Sequence, residues 1–91
     1  MAHNFRISIN RTIDNLYIRL LGDFDGSSAF ELINAIKENQ NNFKWILIDT
    51  NKLKKVYPFG REVFYYNYLL IKNQQRPIRF VGPNALHLAP T

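Results

Sequence analysis

Asp23 and Asp25 stand one residue apart in the stretch Gly22-Asp23-Phe24-Asp25-Gly26, just ahead of a run with helical spacing. Two carboxylates that close could hold a cation or divide acid and base roles. Nothing nearby completes either site. His3 and His87 lie near opposite ends, and the chain has no cysteine. Asp also favours such turns because its side chain bonds the local backbone, so a capping role stands beside the chemical one. Lys52, Lys54 and Lys55 form a basic cluster, suited to an acidic partner or to a solvated loop. The four glycines are scattered as turn residues and build no phosphate-cradling loop. No nucleophile, acid, base and metal set converges. The chain reads as a non-enzyme with no cofactor and no metal site.

At 91 residues the chain reads as one domain, residues 1–91, with a core over about 5–83. Hydrophobic residues make up 46%, enough for a packed core and too many for a disordered segment. The absence of cysteine fits a reducing cytosol. Neither a secretory leader nor an apolar run long enough to cross a bilayer is visible, so the expectation is a cytoplasmic protein without a membrane partner. Twelve Lys and Arg against seven Asp and Glu give a net charge of +5. That charge keeps a small domain soluble and equally favours acidic partners, nucleic acid among them.

The elements that must position these residues follow from periodicity. Phe5, Ile7 and Ile9 alternate with polar residues, as do Leu16, Ile18 and Leu20. With a turn over Asn10–Asn15 between them, the two strands predict an antiparallel hairpin. Ser28, three residues before Glu31, matches a capping box and predicts a helix from about Ser28 to Glu38, followed by a polar loop over Asn39–Asn42. Trp45–Ile48 is a continuous apolar run closed by Asp49, which predicts a central strand with both sides buried or partly covered. Asn51–Lys55 reads as a loop. Pro58 suits the first position of a second helix reaching about Lys72. A loop over Asn73–Gln75, Pro77 and a last strand over Ile78–Val81 complete the order. Gly82-Pro83 ends that strand, and Ala85–Leu88 has room for one helical turn before Pro90. Alternation of strand and helix after the hairpin predicts parallel pairing. The fold class is α/β: a two-layer mixed sheet of about four strands, hairpin then parallel βαβαβ, with helices mainly on one face.

The second helix carries two apolar stripes. Phe59, Val63, Tyr66 and Leu70 form the expected core stripe. Phe64, Tyr68 and Ile71 form another, either packed in the core or available for self-association as a homodimer. Arg6, Arg19 and Arg79 fall on strand positions opposite the apolar ones, and with Tyr17 they would face away from the helices.

Several segments in register resemble the STAS domain, the family of sulfate transporters and anti-sigma factor antagonists. Gly22-Asp23-Phe24-Asp25 is similar to the family's Gly-Glu-Leu-Asp, and Ser27–Leu32 to the start of its first helix. Trp45–Asp49 is similar to the central strand that ends in Leu-Asp-Leu. Val56-Tyr57-Pro58-Phe59-Gly60 falls where the family has Ile-Asp-Ser-Ser-Gly, and Arg79–Pro83 looks like the last core strand. The resemblance spans about residues 5–83.

What the resemblance implies is a protein-protein interaction module in bacterial signal transduction. The partner would be a regulatory protein, an anti-sigma-type kinase or a larger signalling assembly. Its partner-binding edge would comprise Asp23, Asp25, Ser27, Lys54, Lys55, Tyr57, Pro58, Phe59, Gly60 and Arg61. One departure bears on regulation. In bacterial members the first serine of that motif is phosphorylated, and here Pro58 occupies its place, with Phe59 for the second serine and Tyr57 for the aspartate. Proline has no hydroxyl, so the resemblance implies a module without the usual switch. Two other readings of a small basic α/β domain stay open: nucleic-acid binding through the strand arginines, and binding of a small ligand or lipid.

Overall fold

A computed structural model describes residues 4–39, 43–71 and 78–88. The chain runs β1 (Arg6–Arg11), β2 (Asn15–Phe24), α1 (Gly26–Asn39), β3 (Trp45–Val56), α2 (Pro58–Ile71), β4 (Ile78–Val81) and α3 (Ala85–Leu88). The strands form one sheet in the order β1-β2-β3-β4. β1 and β2 pair antiparallel, while β2 with β3 and β3 with β4 pair parallel. Both crossovers step across the sheet in the same direction, so right-handed connections place α1 and α2 on one face. The mixed two-layer α/β architecture read from the sequence is the one observed. His3, the loop over residues 40–42, Lys72, the loop over residues 73–75, Pro77 and Pro90 lie outside the described residues.

Register fixes which side chains meet the helices. Ile9 pairs with Ile18, Leu16 and Ile18 with Ile46 and Ile48, and these with Ile78 and Phe80. Leu16, Ile18, Leu20, Ile46 and Ile48 are fully buried beneath Leu32, Ile33 and Ile36 of α1. Buried apolar surface contributes roughly 25 cal/mol per Å², so this one-sided core is the main favourable contribution to folding. An aromatic chain runs through it. Phe24 meets Phe5 at 5.8 Å and Phe64 at 6.2 Å, and Phe64 meets Phe80 at 5.7 Å and Tyr68 at 5.4 Å between ring centres. Burial of Thr50 is satisfied by donation to the Val81 carbonyl at 2.7 Å and acceptance from the Asn84 N–H at 3.2 Å. Those bonds tie β3 to the turn ahead of α3.

Three expectations are corrected. The strand called closed at Asp49 continues to Val56, so Lys52, Lys54 and Lys55 belong to β3 and not to a loop. Two register shifts against β2 accommodate the extension, and Leu53 is its buried apolar residue. On the open sheet face away from the helices, Trp45 is half exposed and Leu47 partly covered. The helix cap is Asp25, not Ser28. Its Oδ1 accepts the Ser28 N–H and the Ser28 hydroxyl, each at 2.9 Å, and α1 begins at Gly26. Finally, the α2 stripe expected in the core faces outward. Phe64, Tyr68 and Ile71 are buried, so of their two readings core packing holds and a self-association surface does not. Phe59, Tyr66 and Leu70, expected inside, are 68, 67 and 68% exposed.

Burial also sets a pH dependence. Desolvation raises the Tyr68 hydroxyl above its ordinary pKa of 10.0, because the phenolate is disfavoured in the core. The unfolded chain therefore loses this proton before the folded one does. Stability from the neutral hydroxyl is complete below pH 10 and is lost as pH rises through the higher folded value. Urea midpoints of wild type and Tyr68→Phe, measured from pH 8 to 11, are expected to diverge above pH 10, wild type falling more steeply. Parallel profiles would show that this burial has no such effect.

Candidate interaction site at the helix N-termini

The C-terminal ends of β2 and β3 lie side by side, and each leads directly into a helix. Asp23 pairs with Lys55 and Phe24 with Val56. The Tyr57 N–H donates to the Phe24 carbonyl at 2.9 Å, prolonging the ladder to the edge of α2. Helix α2 then starts at Pro58, where the missing N–H would have no helical partner. The Arg61 N–H donates to the Tyr57 carbonyl at 3.0 Å and closes the first turn.

Close approach of the two helix N-termini depends on glycine. A Cβ on Gly60 would lie 2.7 Å from the carbonyl carbon and oxygen of Asp25. At Gly26 it would meet the Phe59 ring at 2.9 Å. The two contacts are reciprocal: α2 offers a bare backbone to the cap of α1, and α1 offers a bare backbone to the Phe59 ring. Gly60 is buried while Phe59 lies on the surface above it.

Around this seam the structure brings together all ten residues that the resemblance singled out. Asp25 is committed to capping, since its Oδ1 also accepts the Ser27 hydroxyl at 2.9 Å. The Asp23 backbone N–H is held by Asn4 Oδ1 at 3.2 Å. Lys54, Lys55 and Arg61 are exposed. Lys55 Nζ stands 4.7 Å from the centre of the Tyr57 ring, a cation–π contact that holds an ammonium beside an exposed aromatic. Among the described residues, no three His, Cys, Asp or Glu side chains group to hold a metal ion. Nor is any described helix long and apolar enough to cross a membrane. The rim therefore offers a fixed apolar projection, Tyr57-Pro58-Phe59, bordered by cations.

Residues outside the sequence-derived set extend this surface. Phe30, one helical turn beyond Gly26 on α1, is 52% exposed. Tyr66 and Leu70 continue the Phe59 stripe along α2. The signal was present in Gly60: a helix packs closely on its glycine face, and Gly60, Phe64, Tyr68 and Ile71 fall on one face at helical spacing.

No family model matches the chain, and no curated protein does. Solved structures do match its fold. A STAS domain of an anti-sigma factor antagonist from Rhodobacter sphaeroides superposes with a TM-score of 0.70 at 14% identity, covering 91% of both chains. The anti-sigma factor antagonist SpoIIAA in its unphosphorylated form gives 0.65 at 14% identity, over 86% of this chain and 70% of that one. A structure of Mglu gives 0.73 at 12% identity over 84% of this chain. This chain spans 19% of that Mglu structure, 22% of a second and 27% of its L-glutamate binding form. The chain thus has the STAS fold that the sequence segments resembled, at identities that speak for the fold alone.

Proposed function

We propose that this chain is a non-catalytic protein-interaction module that binds a regulatory protein through the rim formed by Tyr57, Pro58 and Phe59. The observation that carries this reading is the exposed aromatic projection at the start of α2, braced by Gly60 and Gly26. Burying an aromatic anchor of that kind is what supplies binding energy at protein interfaces. Lys54, Lys55 and Arg61 around it favour a partner with an acidic border, such as an anti-sigma-type kinase or a component of a signalling assembly. Support for the class comes from the fold shared with SpoIIAA, which has been solved in phosphorylated and unphosphorylated forms.

Serine chemistry is excluded at the first position of α2, because Pro58 has no hydroxyl. A phosphate there would add roughly −1.5 to −2 charges beside the partner. Without it the rim keeps one charge state, so the module binds constitutively.

A photo-reactive aromatic placed at position 59 in the source cell would cross-link the partner for identification. Titration of the purified partner with wild type and Phe59→Asp then tests the rim. The expected result is at least tenfold weaker binding by a variant whose circular dichroism is unchanged, with wild-type affinity falling as salt rises. Equal affinities of the two proteins would overturn the proposal. Phosphate found on Tyr57 in protein isolated from that cell would overturn constitutive binding.

A further inference from the structure

The sheet face turned away from the helices has a composition that the rim does not explain. Tyr17 lies beside Leu47, which lies beside Arg79, in one row across β2, β3 and β4. In the adjoining rows Asn15 pairs with Trp45 and Arg19 with Asp49. Trp45 is 50% and Tyr17 37% exposed. Between Asn15, Tyr17, Trp45, Leu47 and Arg79 runs a shallow groove of about 360 Å³. Across Tyr17 and Leu47 it adjoins a second depression of about 160 Å³, bordered by Asn10, Arg19 and Asp49.

We propose that this face binds single-stranded nucleic acid, stacking unpaired bases on Trp45 and Tyr17 while Arg79 and Arg19 meet the backbone. Each part of the surface has a counterpart in such a ligand. Base–aromatic stacking tolerates any sequence because every base has a π face. Arginine adds phosphate contacts and a guanidinium plane for stacking. Two adjoining depressions that share Tyr17 and Leu47 suit successive bases better than one compact ligand.

Charge separates this occupant from a protein or a second copy of the chain. Arg6, Arg19 and Arg79 lie on this face, and the carboxylates on its described strands are Asp49 and, at the far end, Asp23, whose register partner is Lys55. Asp49 sits 3.5 Å from Arg19 Nε and also accepts the Asn51 backbone and side-chain N–H groups at 2.8 and 2.7 Å. At the near end, the charges of Lys44 and Asp14 offset each other. The face therefore carries a net positive charge on a chain that is itself +5. A second copy would set arginines against arginines. A duplex hides its base faces within the stack, so the flat platform favours unpaired strands.

The mounting of the aromatic side chains supports a preformed platform. The Asp14 carbonyl accepts the Lys44 N–H at 2.8 Å and the Trp45 N–H at 3.4 Å, anchoring the start of β3 to the hairpin turn. Asn15 Nδ2 donates to the Tyr17 hydroxyl at 3.4 Å.

Trp45 is the chain's single tryptophan and a built-in reporter. Titration with twelve-nucleotide oligo(U), oligo(dT) and a duplex of matched length is expected to quench its fluorescence with the single strands and much less with the duplex. Two or three phosphate contacts predict a loss of affinity of roughly seven- to twentyfold between 50 and 200 mM salt. Tyr17→Ala and Arg79→Glu are each expected to weaken binding about tenfold or more. Phe59→Asp is expected to leave it unchanged, which separates this face from the rim. Absence of quenching, equal affinity of Tyr17→Ala and wild type, or preference for the duplex would overturn the proposal. So would self-association through this face, seen as a dimer lost in Arg79→Glu or Tyr17→Ala.

Discussion

Phe64→Ala is expected to lower the free energy of unfolding by about 3–5 kcal/mol, the range for truncating a buried phenylalanine. A domain of this size is stable by roughly 0.05–0.15 kcal/mol per residue, so the change removes a large share of the total. Phe64 is fully buried and touches three other rings, Phe24, Tyr68 and Phe80. Those edge-on and tilted pairs contribute about 0.5–1.5 kcal/mol each beyond the buried area. Truncation leaves a cavity beside Phe24 of β2, Phe80 of β4 and Tyr68 of α2. In thermal unfolding the midpoint should fall by roughly 4–8 °C for each kcal/mol lost. The informative comparison is Phe59→Ala on the same helix, expected to cost less than about 1 kcal/mol because that ring is 68% exposed. If Phe59→Ala proved the more costly, the assignment of the two faces of α2 would be wrong.

Gly60→Ala is expected to destabilise the fold by about 1–3 kcal/mol, the usual cost of overpacking. Helix propensity predicts the opposite sign, since alanine in a helix is favoured over glycine by roughly 1 kcal/mol. The sign of the change therefore decides which effect wins. Contact geometry favours destabilisation: the added methyl would fall 2.7–2.8 Å from three backbone atoms of Asp25. Backbone that caps α1 does not give way as a flexible side chain would. Relief comes instead from moving the start of α2 outward, which displaces Tyr57, Pro58 and Phe59 together. Partner binding should thus fall along with stability, whereas Phe59→Asp weakens binding alone. Denaturant midpoints read the first effect and titration of the partner the second. A stabilised or unchanged Gly60→Ala would mean that the helices do not meet there.

How legible the rim was depended on the residue. Pro58 placed the start of α2 correctly, because its lack of an N–H suits the first helical position and few others. Asp25 and Ser28 were both credible caps in the sequence. The structure selects the carboxylate, whose Oδ1 accepts three bonds from Ser27 and Ser28. Lys52, Lys54 and Lys55 read as loop because charge masks a strand when only Leu53 turns inward.

The sequence by itself determined the order of elements, the hairpin, the parallel pairing and the inward residues of β1, β2 and β4. Alternation with period two admits one choice of inner face when the other face is polar. It also determined that no phosphate can be carried on Pro58, a matter of covalent structure. Tertiary structure alone decided which stripe of α2 is core, because both stripes are apolar and periodicity cannot rank them. It decided too that Trp45 and Leu47, and not Ile46 and Ile48, are the pair turned toward the open sheet face. In a continuous apolar run, period two cannot rank the two sides.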